Sequence, residues 1–67
     1  MRYYEVWRQF RDGSEKKIAT VWASNCNSAC NRVRTEQQLS NTATLYTIEY
    51  DKRNELGVMA EYPINSN

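Results

Sequence analysis

The stretch Tyr3-Tyr4-Glu5-Val6-Trp7-Arg8-Gln9-Phe10-Arg11-Asp12-Gly13-Ser14, running on through Glu15 to Ala23, decides the fold. Two runs rich in β-branched and aromatic residues are joined by Asp12-Gly13, a pair that tolerates the positive φ angles of a tight turn, so the segment reads as a β-hairpin. With a two-residue loop, Arg11 faces Ser14, Trp7 faces Ile18, Arg8 faces Lys17 and Val6 faces Ala19. Alternation then places Tyr4, Val6, Phe10, Ala19, Val21 and Ala23 on one face. Tyr3, Trp7, Ile18 and Trp22 fall on the other, among Glu5, Gln9, Lys16 and Thr20. Both faces are apolar in part, and both call for a cover.

Ser24-Asn25 supplies a helix start, since either side chain can accept from the free amides of a first turn. The helix is expected to run to about Leu39, with Asn41 as its stop. Cys26, Ala29, Cys30 and Val33 recur at i, i+3, i+4 and i+7, a stripe of small side chains that lets the helix lie close over Tyr4, Val6 and Val21. Thr42 to Tyr50 reads as a third strand, with Tyr46, Ile48 and Tyr50 toward the core and Leu45, Thr47 and Glu49 away from it. The polar run 51–55 reads as a turn, and Leu56 to Tyr62 as a short edge strand ended by Pro63, which cannot donate to a ladder. The tail 64–67 is expected to fray. The expected architecture is a single α+β domain over 1–63, ordered β-β-α-β-β, with one helix on one face of a four-stranded antiparallel sheet.

One helix covers one side of a sheet. The side bearing Tyr3, Trp7, Ile18 and Trp22, joined by Leu45 and Met59, is then left open, and contiguous apolar patches of that kind usually mark interfaces. Trp and Tyr dominate binding energy at such places. The competing reading is that arginine and lysine stems and the C-terminal tail fold over these rings.

Composition narrows the function. A chain of 67 residues buries only about 60% of the surface that it exposes unfolded. Its aromatics, five Tyr, two Trp and one Phe, carry most of the buriable area. No long apolar run is present, so no membrane span or secretory signal is expected, and cytoplasmic residence is the default. Residues 1–40 hold seven cations against four carboxylates, and residues 41–67 two against four. That polarity can steer a partner, but it falls short of a dedicated nucleic-acid binder. Arg8, Lys16 and Lys17 on the hairpin and Arg32 and Arg34 on the helix form a candidate basic surface for an acidic or phosphate-bearing partner, or else an ordinary solvated face.

No catalytic motif appears. The chain has no histidine to serve as a base, and its two glycines cannot form a phosphate loop. Cys26 and Cys30 are too few for a zinc site and read as small buried hydrophobes. No cofactor or metal is expected.

Two resemblances follow. Tyr4, Ala23, Ala29, Glu36-Gln37, Thr44, Ile48-Glu49 and Ala60 resemble the very small phage anti-CRISPR proteins that inhibit the type I-F surveillance complex with a sheet and one helix. That resemblance implies a non-catalytic inhibitor that docks on the repeated backbone subunit and occupies the path of the target DNA. Basic helix residues carry contact in that family; Cys30 and Asn31 stand at the matching positions, with Arg32 and Arg34 displaced from them. Tyr4-Glu5-Val6, Asp12-Gly13-Ser14, Lys16-Lys17 and Ala29 are similar to the three-stranded DNA-binding domain at the N-terminus of phage integrases, whose open sheet face enters the major groove. The aromatic face here suits single-strand stacking better than base-edge reading.

The expected function is therefore occlusion of a site on a larger protein or nucleoprotein complex, through Tyr3, Trp7 and Trp22 or through Arg8, Lys17, Arg32 and Arg34. DNA binding and homodimerisation through the open face are the alternatives.

Overall fold

The computed structural model describes residues 1–57 and 59–64. Strand β1 (Arg2–Gln9) and strand β2 (Glu15–Ala23) form the hairpin, helix α1 (Cys26–Glu36) crosses over, and strand β3 (Thr44–Glu49) returns to pair with the far side of β1. A short 3-10 turn, Tyr50–Lys52, follows. The result is α+β with a three-stranded antiparallel sheet in the order β2-β1-β3, where four strands were expected. In the stretch read as a fourth strand, Glu61 makes a single bridge to Thr47, through N–H···O bonds of 2.8 and 2.9 Å. Residues 50–57 are exposed and form no strand, and Val58 lies outside the described residues.

The hairpin turns on three residues, not two. Phe10 N donates to Ser14 O at 2.8 Å and Gly13 N to Phe10 O at 3.0 Å, closing a loop of Arg11, Asp12 and Gly13. Asp12 is the cause. Its carboxylate accepts from Ser14 N (2.9 Å) and Ser14 Oγ (2.6 Å), which leaves Gly13 to take the positive φ of 91° alone. The register consequently starts one step off: Trp7 faces Lys17 and Arg8 faces Lys16, in place of Ile18 and Lys17. A bulge between Val6 and Trp7 then restores the expected pairing of Val6 with Ala19 and Tyr3 with Trp22. Ile18 is the extra residue, and it packs against the core instead of on the open face.

Asn25 caps the helix, its Oδ1 accepting from Ser28 N at 2.8 Å. The stripe Cys26, Ala29, Cys30 and Val33 is buried against Tyr4, Val6, Val21, Ala23 and Leu45. The helix ends earlier than expected. Gln38 adopts φ 54°, and Gln38 N donates to Thr35 O and Leu39 N to Arg34 O, a Schellman closure that brings Leu39 against the core. Arg34 then anchors the following loop, its Nη1 donating to Ser40 O (2.6 Å) and Ala43 O (3.0 Å).

The faces of β3 are the reverse of expectation. Leu45 and Thr47 lie opposite Arg8 and Val6 and are buried, whereas Tyr46 lies opposite Trp7 on the side away from the helix. Apolar residues alternate on both sides of this strand, so hydropathy could not choose between them. Along the outer edge of β2, Gln37 Nε2 donates to Ile18 O (2.9 Å) and Arg32 Nη1 to Trp22 O (3.2 Å). Of the tail, Ile64 N donates to Asn27 Oδ1 at 2.7 Å, and residues 65–67 lie outside the described residues.

Candidate binding surface

The helix leaves one sheet face uncovered, and β1, as the central strand, sets its middle. Glu5 stands there, 3% exposed, a carboxylate where an apolar residue would be cheapest. Three donors compensate it. Trp7 Nε1 donates to Oε1 at 3.2 Å, Arg53 Nη1 to Oε2 at 3.3 Å, and Lys17 Nζ lies 3.8 Å from the same oxygen. The second of these comes from the polar run after β3, so a segment read as a plain turn helps to close the face.

Aromatic rings flank this charge on both sides. Toward the hairpin loop, Trp7 stacks on Tyr46 with centroids 6.3 Å apart and planes 10° apart, and Tyr62 leans on Tyr46 at 5.5 Å. Tyr46 is buried between them, and burial, with Glu15 opposing the phenolate, pushes its hydroxyl up to about 12. At the other end, Tyr3 and Trp22 meet edge to face with centroids 4.8 Å apart. These two rings stay 48% and 47% exposed, whereas Trp7 is half-buried by its partners.

The expected site residues therefore separate. Tyr3, Trp7, Lys17 and Trp22 share the open face. Arg8 alternates to the helix-bearing face, its guanidinium 4.8 Å over the Phe10 ring, which lies exposed beside the loop instead of in the core. Arg32 is held by Glu36 at 2.8 Å and by Trp22 O, and Arg34 is bound to two carbonyls beneath the 40–43 loop. The basic residues thus do not converge on one surface. Leu45 leaves the expected patch for the core, and Met59 lies exposed outside the strands. What sequence reasoning missed is the Glu5 centre. A carboxylate between aromatic residues at mid-strand marks the position, but the Arg53 partner that completes the centre lies 48 residues away.

Both cysteines are free and buried. Burial raises both thiols, Cys30 to about 12, and Cys26 Sγ donates to Glu61 O at 3.3 Å. Among the described residues no group of three or more His, Cys, Asp or Glu side chains could hold a metal ion, and no helix is long and apolar enough to cross a membrane. No family model matches the chain, and neither the curated proteins nor the solved structures offer a match.

Proposed function

We propose that this chain is a non-catalytic binding protein that works by occlusion, seating the open sheet face on a larger protein or nucleoprotein complex. The observation that carries the reading is the Tyr3–Trp22 pair, two large rings left half exposed at the end of the face that Arg53 and Tyr62 do not reach. Rings of this size gain most when a partner completes their burial. Trp7 and Lys17 extend the contact toward the middle of the face.

The finer proposal is an inhibitor encoded by a phage or mobile element and acting in the host cytoplasm, with the type I-F surveillance complex as target. It rests on the resemblance through Tyr4, Ala23 and Ala29, all buried in this fold, so the shared residues speak for a common scaffold. Contact through the helix, as in that family, has less behind it here: Cys30 is fully buried, and Arg32 and Arg34 are engaged within the chain. The test is binding of the purified surveillance complex by wild type, Trp22→Ala and Arg32→Ala. The proposal expects a loss of about tenfold or more for Trp22→Ala alone, since central aromatic anchors commonly contribute 2 kcal/mol or more. Equal binding by wild type and Trp22→Ala removes the aromatic face from the mechanism, and no binding by any form removes this target.

Nucleic-acid binding is the second reading. Lys17 and Arg53 beside Trp7 and Tyr50 on the open face favour it, as aromatic and cationic groups together suit a single strand.

A further inference from the structure

Most cations of this chain are engaged within it. Arg2 and Lys52 pair with Glu49, Lys17 and Arg53 with Glu5, Arg32 with Glu36, and Arg34 binds two carbonyls. Arg8, Arg11 and Lys16 have no carboxylate partner among the described residues, and all three belong to the loop end of the hairpin. Arg8 and Lys16 also sit directly across β1 and β2, an opposition of like charges that costs stability when nothing anionic lies between.

A cleft of about 470 Å³ opens at this end, between the hairpin loop and the loop that enters β3. Arg8, Phe10, Arg11 and Gly13 line one wall, and Thr42 and Thr44 the other. No carboxylate lines it. The two acids nearest in sequence are turned elsewhere: Asp12 accepts both Ser14 bonds inside the turn, and Glu15 lies across from Gln9, accepting from its Nε2 at 3.1 Å. Both walls are fixed before any ligand arrives. The Phe10–Ser14 and Gly13–Phe10 bonds hold one, and Arg34, through Ser40 O and Ala43 O, holds the other. The Phe10 ring carries the Arg8 guanidinium and limits its wandering.

We propose that this cleft binds a phosphate-type oxyanion, gripped by the Arg8 and Arg11 guanidinia. Planar guanidinia with several N–H donors match tetrahedral oxyanions, and their hydrogen bonds to an anion are charge-assisted. The group could belong to a nucleic-acid backbone or to a small phosphorylated molecule. The site lies on a different part of the molecule from the Tyr3–Trp22 pair, about 17 Å along β1, so it stands independently of the docking face.

The test is a chemical-shift titration of the ¹⁵N-labelled full chain in low-salt buffer with two probes: inorganic phosphate, and oligothymidylate of about eight nucleotides. Saturable shifts are expected at the amides of Arg8 to Gly13 and Thr42 to Thr44. The double variant Arg8→Gln, Arg11→Gln, checked to retain a dispersed spectrum, should bind about tenfold more weakly or less well still. Trp22→Ala should bind as wild type does. Tighter, salt-sensitive binding of the oligonucleotide through the same amides assigns the anion to a nucleic-acid backbone. Equal affinity for both probes assigns it to a small phosphorylated ligand. Absence of saturation with either probe, shifts centred on Lys52 and Arg53, or undiminished binding by the double variant would overturn the site.

Discussion

The Trp7 indole N–H donates to the Glu5 carboxylate at 3.2 Å, two residues back on the same strand and the same face. A buried acid in the middle of an otherwise aromatic surface thereby gains a donor beside the Arg53 and Lys17 cations that offset its charge, and the indole ring stacks nearly parallel to Tyr46. The face is consequently not a plain greasy patch. It is two aromatic ends joined by a satisfied charge.

That arrangement sets an order of substitutions at position 5. Glu5→Ala strands the indole N–H and releases Arg53 and Lys17, and it should cost about 2 kcal/mol. Glu5→Gln keeps an acceptor for Trp7 and should cost about half as much. Urea unfolding followed by tryptophan fluorescence measures both, and equal stabilities for the two variants would show that the indole bond contributes nothing.

Gln38 occupies the left-handed position of the helix closure at φ 54°, where a residue with a Cβ is strained and glycine is not. Gln38→Gly should raise stability by about 0.5 to 1 kcal/mol despite the added freedom of the unfolded chain. A thermal melt that shows Tm unchanged or lowered would contradict the closure described for Gln38 and Leu39.

Thr47 is 1% exposed and its Oγ1 has no hydrogen-bond partner. The Cys26 thiol is its neighbour, yet the thiol hydrogen bond goes to the Glu61 carbonyl. Thr47→Val keeps the shape and removes the orphaned hydroxyl, so it should stabilise the fold by up to about 1 kcal/mol. Chemical denaturation decides this; a loss of more than about 1 kcal/mol would mean that the hydroxyl is bonded in solution.

Alkali should weaken the fold through Cys30 and Tyr46, whose groups burial pushes up to about 12 from ordinary values near 9 and 10. The native chain keeps these protons longer than the unfolded chain does. Their contribution is therefore complete below about pH 8 and is lost as pH rises toward about 12. Between about pH 8 and 10.5 stability should fall by on the order of 2 kcal/mol. Cys30→Ala should flatten the slope, and an unaltered slope in that variant would assign the loss to other groups.

The sequence exposed the parts of this fold that obey a single period. The hairpin, the Asn25 cap and the stripe Cys26, Ala29, Cys30 and Val33 over Tyr4, Val6 and Val21 all follow from spacing and turn chemistry. Three features were hidden, each for a physical reason. Asp12 chose its own side-chain bonds over a two-residue turn, and the bulge that repaired the register moved Ile18 to the other side. Thr44 to Glu49 carries large apolar residues on both sides, so the pairing of Leu45 and Tyr46 with β1 alone decides which of them meets the helix. The Glu5 centre depends on Arg53, 48 residues away, and no local pattern announces a contact of that range.

The hydrogen bonds from Gln37 to Ile18 O and from Arg32 to Trp22 O fall along the free margin of the outer strand, while Glu61 takes up Thr47 on the opposite margin. Unguarded margins invite neighbouring chains to zip on sideways and grow into fibrils. Here both are partly plugged by the molecule itself, which shortens the ladder that a neighbouring chain could extend.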